Sequence, residues 1–176
     1  MDASSEREAG GGEPGEGEPP PAARPRRSKR WWLVRGAIGF VGLFVLIQAV
    51  PYGRDHTNPP VTASPAWDSP RTEALFRTAC GDCHSNLTRW PWYTNVAPFS
   101  WLVQKDVDEG RSTMNLSEMD KTRVEIGDIE EAIRGGGMPP LQYRLIHRDA
   151  ALSAQEKDDL VNGLKASLAA PPVPAP

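Results

Sequence analysis

The longest predominantly apolar run covers residues 31–50, near the start of the chain. It contains one charged residue, Arg35, and a helix of about twenty residues spans the roughly 30 Å hydrocarbon core of a bilayer. A cleaved signal peptide is the alternative, but the run is longer than a signal-peptide apolar region and no A-x-A-like site follows Ala49. The pattern therefore predicts an uncleaved, single-pass transmembrane helix over residues 31–50.

Residues 67–170 repeat apolar positions at the three- and four-residue spacing of amphipathic helices, and no stretch alternates convincingly as a strand does. Ser69 and Pro70 have the sequence of a helix N-terminus. The apolar face that follows comprises Leu75, Phe76 and Ala79. We therefore predict an all-α domain of roughly 100 residues, which is enough for one small core.

Three further helices are predicted downstream. Pro98 can open the second helix, and Gly110 is predicted to end it. Ser117–Asp120 resembles a capping box for the third helix, which Gly135 ends, and Ser153–Glu156 is a capping box for the last. Their inward positions are Phe99, Leu102, Val103 and Val107, then Ile126, Ile129 and Ile133, then Leu160, Val161, Leu164 and Leu168.

Glycine and proline concentrate at the two ends of the chain. Residues 1–30 are predicted to be a disordered cytoplasmic tail, because they lack apolar periodicity and end in a basic block that holds the N-terminus inside. That block comprises Arg24, Arg26, Arg27, Lys29 and Arg30. Residues 51–66 carry four prolines and are predicted to be a stiff linker, and residues 171–176 a tail. The net charge of −3 gives no reason to expect a nucleic-acid partner.

Both cysteines of the chain lie in one motif, Cys80-Gly81-Asp82-Cys83-His84. This is the C-x-x-C-H pattern of c-type haem attachment, in which two thiols form thioethers and the histidine is the fifth iron ligand. Structural zinc needs four ligands, and the remaining histidines lack zinc-finger spacing. A thiol-redox or structural pair without haem is the other reading, but no strand precedes the motif. The motif predicts covalent haem c at Cys80 and Cys83, with His84 on the iron.

The sixth iron ligand has five candidates, namely Met138, His147, His56, Met114 and Met119. Met138 is favoured because its Gly- and Pro-rich loop can hold a thioether at a fixed distance from the iron. His147 would give bis-histidine ligation and a lower potential. Met114 and Met119 lie near helix starts, where a methionine more often packs, and His56 lies in the linker. An open position remains a further alternative.

Aromatic residues crowd the sequence around the motif and can supply the walls of a haem pocket. They are Trp67, Trp90, Trp92, Tyr93, Phe99 and Trp101. In a domain of this size the core and the pocket share most of their residues, so the sequence does not decide which tryptophan touches a haem.

Residues 80–117 read CGDCHSNLTRWPWYTNVAPFSWLVQKDVDEGRSTMNLS, and a Gly-Met-Pro-Pro-x-x-Tyr segment follows. This pattern resembles the bacterial haem-binding domain family, whose members are often membrane-anchored, over about residues 51–168. The resemblance implies thioethers at Cys80 and Cys83, His84 as proximal ligand and Met138 as distal ligand. Asp106 stands where some relatives have a histidine, and it cannot be a haem ligand here. The order of helices is also similar to small c-type cytochromes, in which the first and last helices pack across each other.

We therefore predict a small cytochrome c-like helical haem domain that follows a single transmembrane helix. It would lie outside the bacterial cytoplasmic membrane, with the N-terminus inside, and transfer single electrons between redox partners that the sequence does not identify. No paired carboxylates or catalytic triad are visible, so we expect no enzyme activity. The alternative is a haem-based sensor or small-ligand binder with an open or displaceable sixth position.

Overall fold

The computed structural model describes residues 28–122 and 124–175, and the chain divides into two units, Met1–Phe40 and Val41–Pro176. Most of the predicted N-terminal tail, including Arg24, Arg26 and Arg27, lies outside the described residues.

Helix α1 covers Lys29–Ile47, and none of its residues is buried. It is the one helix in the described part of the chain that is long and apolar enough to cross a bilayer, with a mean hydropathy of 1.6. The helix ends three residues before the predicted boundary, because Gln48 and Ala49 form a turn. Near its start, the Arg35 guanidinium lies 4.7 Å from the ring centroid of Trp31.

The second unit is helical, as the periodicity predicts, and the all-α fold is confirmed. Its helices are α2 (Pro70–Ala79), α3 (Gly81–His84), α4 (Phe99–Thr113), α5 (Ile126–Arg134), α6 (Leu141–Ile146) and α7 (Ala154–Ala169). Two 3₁₀ turns, Trp92–Asn95 and Arg148–Ala150, lie between them.

The core forms where the first and last helices of this unit pack together, as predicted. Its buried side chains include Leu75 and Phe76 from α2 with Leu160, Val161 and Leu164 from α7. At the contact, a Cβ added to Gly163 would lie 2.8 Å from the Thr72 Cβ. The two helices are therefore too close here for any residue other than glycine at position 163. The predicted caps hold both helices: Ser69 Oγ accepts from the Thr72 nitrogen, and Ser153 and Glu156 form a capping box.

Helix α4 differs from its prediction in length and in its buried face. It continues to Thr113, and Gly110 is buried inside it rather than ending it. Phe99 and Leu102 are 50% and 42% exposed, whereas Val107 is fully buried. The predicted inward face was therefore wrong at its N-terminal end, because the first turn of α4 buries Ser100 instead of Phe99 and Leu102.

Two local predictions further along the chain were also wrong. Ser117–Asp120 caps no helix: Ser117 is buried, and its Oγ accepts a hydrogen bond from the Asn86 nitrogen at 2.9 Å. Helix α5 instead begins after Glu125. The sequence pattern predicts a loop over residues 138–143, but α6 already starts at Leu141.

Two short strands join the segments predicted as linker and tail. Strand β1 (Ala63–Ser64) pairs antiparallel with β2 (Val173–Pro174), with Ala63 opposite Pro174. The Thr62 nitrogen also donates to the Ser117 oxygen at 2.9 Å. Strands of two residues are too short to show alternation, so periodicity gave no sign of them. Residues 62–64 thus lie against the domain instead of only leading to it.

Candidate haem site

A cavity of about 380 Å³ opens beside the C-x-x-C-H motif. Its walls come from helices α2 to α7 and from the loop between α5 and α6, and they include Phe76, Cys80, Cys83, His84, Met138 and Tyr143. The volume falls within the range of pockets that bind small molecules and cofactors. The cavity brings together all four residues that the sequence predicts to hold a haem.

His84 is held in the orientation that an iron ligand needs. Its Nδ1 lies 3.1 Å from the Met114 oxygen, and its own carbonyl accepts from the Leu116 nitrogen at 2.9 Å. Burial lowers the pKa of His84, which favours the neutral imidazole. With Nδ1–H donating to a backbone carbonyl, the free lone pair is on Nε2, the atom that would bind iron.

Both cysteines are free thiols: Cys80 lies between α2 and α3, and Cys83 lies within α3. Burial raises the pKa of Cys80 to about 12, and burial together with the nearby carboxylates of Asp106 and Asp82 raises the pKa of Cys83 to about 12. A thiol-redox pair requires a lowered thiol pKa, so this environment speaks against that reading. The same environment favours an uncharged sulfur atom, and the sulfur of a thioether is uncharged.

Two methionines reach the cavity. Met138 lies between α5 and α6, where its nitrogen donates to the Ala132 oxygen at 3.0 Å, and its side chain is 38% exposed. Met114 borders the same cavity but is buried in the core. Met119 only packs against that core. Met138 is thus the methionine that borders the cavity without being buried in the core.

The two histidines outside the motif do not border the cavity. His147 Nε2 lies 3.2 Å from the Tyr93 hydroxyl, and its ring centroid lies 4.1 Å from that of Tyr143. His56 stacks on Trp90 at 4.7 Å and its Nε2 lies 3.0 Å from Thr94 Oγ1. Both side chains serve the packing of the domain in this structure.

The predicted aromatic walls are only partly correct, since none of the tryptophans borders the cavity. Trp67 lies behind Phe76, at 5.3 Å between ring centroids, and Trp92 is 79% exposed. The aromatic side chains in the wall are Phe76, from the predicted face of α2, and Tyr143. Trp90 instead stacks on His56, at 4.7 Å between ring centroids.

Sequence reasoning missed a polar network that fixes Tyr143. Asp82, the third residue of the motif and two residues before His84, is buried and accepts from the Tyr143 hydroxyl at 2.7 Å. Arg89 donates to the same carboxylate from Nε and Nη2, at 3.1 and 3.0 Å. Burial and the bond to Asp82 raise the pKa of Tyr143, so the phenol remains a donor. The only sequence signal is an arginine seven residues after an aspartate, which is not specific.

Asp106 also borders the cavity, together with Glu109 from the same helix. Burial raises the pKa of the Asp106 carboxyl, and Gln142 Nε2 lies 3.5 Å from its Oδ2. Asp106, which cannot be a haem ligand, therefore forms part of the cavity wall.

The residues present fit a haem. The oriented His84 imidazole, the partly buried thiols of Cys80 and Cys83 and the Met138 thioether meet at one mainly apolar cavity. Burial is the main cause of the pKa shifts of all three motif side chains. Within residues 28–122 and 124–175, no three His, Cys, Asp or Glu side chains form a group that could hold a metal ion by itself.

Comparison with known proteins agrees with this geometry. No curated protein and no solved structure matches the chain. A family model described as a haem-binding domain matches residues 42–166, which cover the motif, the cavity-lining residues and all of α2, and extend into α7. The chain belongs to the haem-binding domain family.

Proposed function

We propose that this protein is a membrane-anchored monohaem c-type cytochrome domain that transfers single electrons outside the cytoplasm. The observation that carries the proposal is the meeting of Cys80, Cys83, His84 and Met138 at one cavity. Family membership supports haem binding, and the C-x-x-C-H spacing supports covalent attachment.

Each of these residues has a defined task in the proposal. Cys80 and Cys83 would carry the thioethers, and His84 Nε2 and the Met138 sulfur would bind the iron. When bound, the haem supplies the one-electron redox chemistry. The Met114 carbonyl keeps the His84 ring oriented, and the apolar walls exclude water. Methionine–histidine ligation favours a higher potential than bis-histidine ligation does.

The anchor in this proposal is helix α1. Its length and hydropathy suit a bilayer, and the basic residues that precede it would keep the N-terminus in the cytoplasm of a bacterial cell. The haem domain would then lie on the outer face of the cytoplasmic membrane. We propose an electron carrier rather than an enzyme, with redox partners still to be identified.

Covalent attachment is tested by denaturing the purified protein, reducing it and recording the haem spectrum. We expect haem to stay with the chain after acid–acetone extraction, since a thioether survives unfolding. The double variant Cys80→Ala/Cys83→Ala should release all of its haem, whereas His147→Ala should retain it. Complete extraction of haem from the unaltered protein would rule out the c-type site.

Met138→Ala is expected to leave the haem attached but to lower its reduction potential by an amount on the order of 100 mV, because the thioether ligand is lost. Redox titration of the haem-loaded protein measures this. Met119→Ala is the matched control, since Met119 packs outside the cavity. An unchanged potential and spectrum in Met138→Ala would remove Met138 from the site.

The exposure of Met138 favours a second candidate function, a haem-based sensor or small-ligand binder. A ligand that is 38% exposed on a connecting loop is easier to displace than a buried one. Binding of carbon monoxide to the native reduced protein would support this function. If the reduced protein binds carbon monoxide only after it is denatured, the result would support electron transfer.

A further inference from the structure

We propose that the 3₁₀ turn Trp92–Asn95 and the first turns of α4 form a membrane-contact face, which rests on the lipid headgroups. The face consists of the exposed side chains Trp92, Phe99 and Leu102. This inference rests on the membrane anchor proposed above.

Gln48 ties the end of the apolar helix to the residues just before α4. It is the first residue after α1, and its amide pairs with the Ala97 backbone in both directions. Gln48 Nε2 donates to the Ala97 oxygen at 2.9 Å, and the Ala97 nitrogen donates to Gln48 Oε1 at 3.0 Å. Arg54 Nη2 donates to the same Oε1 at 3.0 Å. A residue at the end of a membrane-crossing helix lies at the membrane surface, so this pairing places Ala97 there as well.

Gly53 provides a second attachment, five residues further along. Its φ is +77°, and a Cβ at this position would lie 2.7 Å from the Ser100 carbonyl carbon. Only glycine adopts this conformation easily and allows this approach. Because residues 48 and 53 both contact the segment 97–100, the start of α4 is fixed next to the point where the chain leaves the membrane.

The side chains of this region are apolar and exposed. Trp92, Phe99 and Leu102 are 79%, 50% and 42% exposed, and Leu102 lies about 4.5 Å along the helix from Phe99, the first residue of α4. Phe99 and Leu102 share one stripe of α4, which continues with the carboxylates of Asp106 and Glu109. Tryptophan with neighbouring large apolar side chains suits the headgroup boundary, and the carboxylates mark where the contact ends.

The membrane-contact face would also set the distance of the haem cavity from the membrane surface. Asp106 borders the cavity and follows Leu102 by four residues, about one helical turn. Contact of the face with lipid would hold the cavity close to the membrane surface. A redox partner in or on the same membrane could then reach it without release of the domain.

Photo-crosslinking to lipid tests the proposal with the full, haem-loaded chain. The protein is placed in phosphatidylcholine nanodiscs that contain a phosphatidylcholine with a diazirine next to its headgroup, irradiated, digested and mapped by mass spectrometry. We expect adducts on residues 91–103 as well as on the anchor, at no less than five times the yield on residues 141–147. The α6 segment is the internal control, because Leu141 and Leu145 are 62% and 69% exposed.

Matched variants separate contact from misfolding. Leu102→Asn should reduce labelling of residues 91–103 several-fold, whereas Leu145→Asn should not, and both should keep their haem content. Gln48→Ala should reduce the same labelling by releasing the attachment at Ala97. Adducts on the anchor with equal or greater labelling of residues 141–147 would overturn the membrane-contact face alone. Absence of adducts from the whole chain would overturn the anchor too.

Discussion

Gly110→Ala is expected to destabilise the haem domain by roughly 2 kcal/mol or more and to lower its haem content. A Cβ at position 110 would lie 2.5 Å from the Cys83 oxygen and 2.8 Å from the Cys83 Cβ. Backbone atoms of Cys83 cannot rotate away, so α4 must shift from the motif that carries both thiols and His84. Urea denaturation followed by circular dichroism gives the free energy of unfolding, and the denatured haem spectrum gives the haem content.

Gly127→Ala is the matched control for this change. Gly127 also lies within a helix, but nothing lies within 4 Å of an added Cβ. Alanine is the better helix former, so this variant should gain up to about 1 kcal/mol and keep its haem. If Gly110→Ala were as stable as Gly127→Ala, the close packing of α4 on Cys83 would be contradicted.

Leu160→Ala is expected to cost about 2–5 kcal/mol of the free energy of unfolding, the usual range for removing a fully buried leucine. Leu160 has no exposed surface and lies in the core that α2 and α7 share. Since small domains are stable by about 5–15 kcal/mol, this loss should lower the melting temperature by roughly 10 °C or more. Thermal unfolding of the full chain in detergent measures it.

The control for Leu160→Ala is Leu145→Ala, because Leu145 is 69% exposed on α6. A substitution of that kind usually changes stability by no more than about 0.5 kcal/mol. Equal effects of the two changes would mean that α7 does not carry the core. Leu160 does not border the cavity, so Leu160→Ala should still bind haem at temperatures where it remains folded.

The sequence predicts the chemistry of the site better than its walls. The C-x-x-C-H motif is local, because five consecutive residues carry both thiols and the imidazole, and one helical turn is enough to bring them together. Met138 was favoured over His147 because of its loop, and the cavity includes Met138 and not His147. Which atom binds the iron in the haem-loaded protein stays a prediction for the Met138→Ala experiment.

The glycines and polar side chains show where sequence reasoning reaches its limit. Gly110 and Gly135 look alike in the sequence, yet Gly135 caps α5 and Gly110 allows Cys83 to approach α4. Asp82 gives no signal of its own, although Arg89 and Tyr143 both donate to its carboxylate. These roles depend on partners distant in the chain, and residue patterns along one segment contain no information about them.

Read by itself, the sequence determined the all-α class, the apolar helix, the haem motif and the caps of α2 and α7. Each of these depends on periodicity, hydrogen bonding or spacing within a few residues of one segment. Only the tertiary structure decided which side chains wall the cavity, that Tyr143 rather than a tryptophan lies there, and that Gln48 and Gly53 fix the start of α4. Those features arise from close packing between segments that lie about fifty to ninety residues apart. There, shape and hydrogen-bonding partners, rather than local pattern, decide which residues meet.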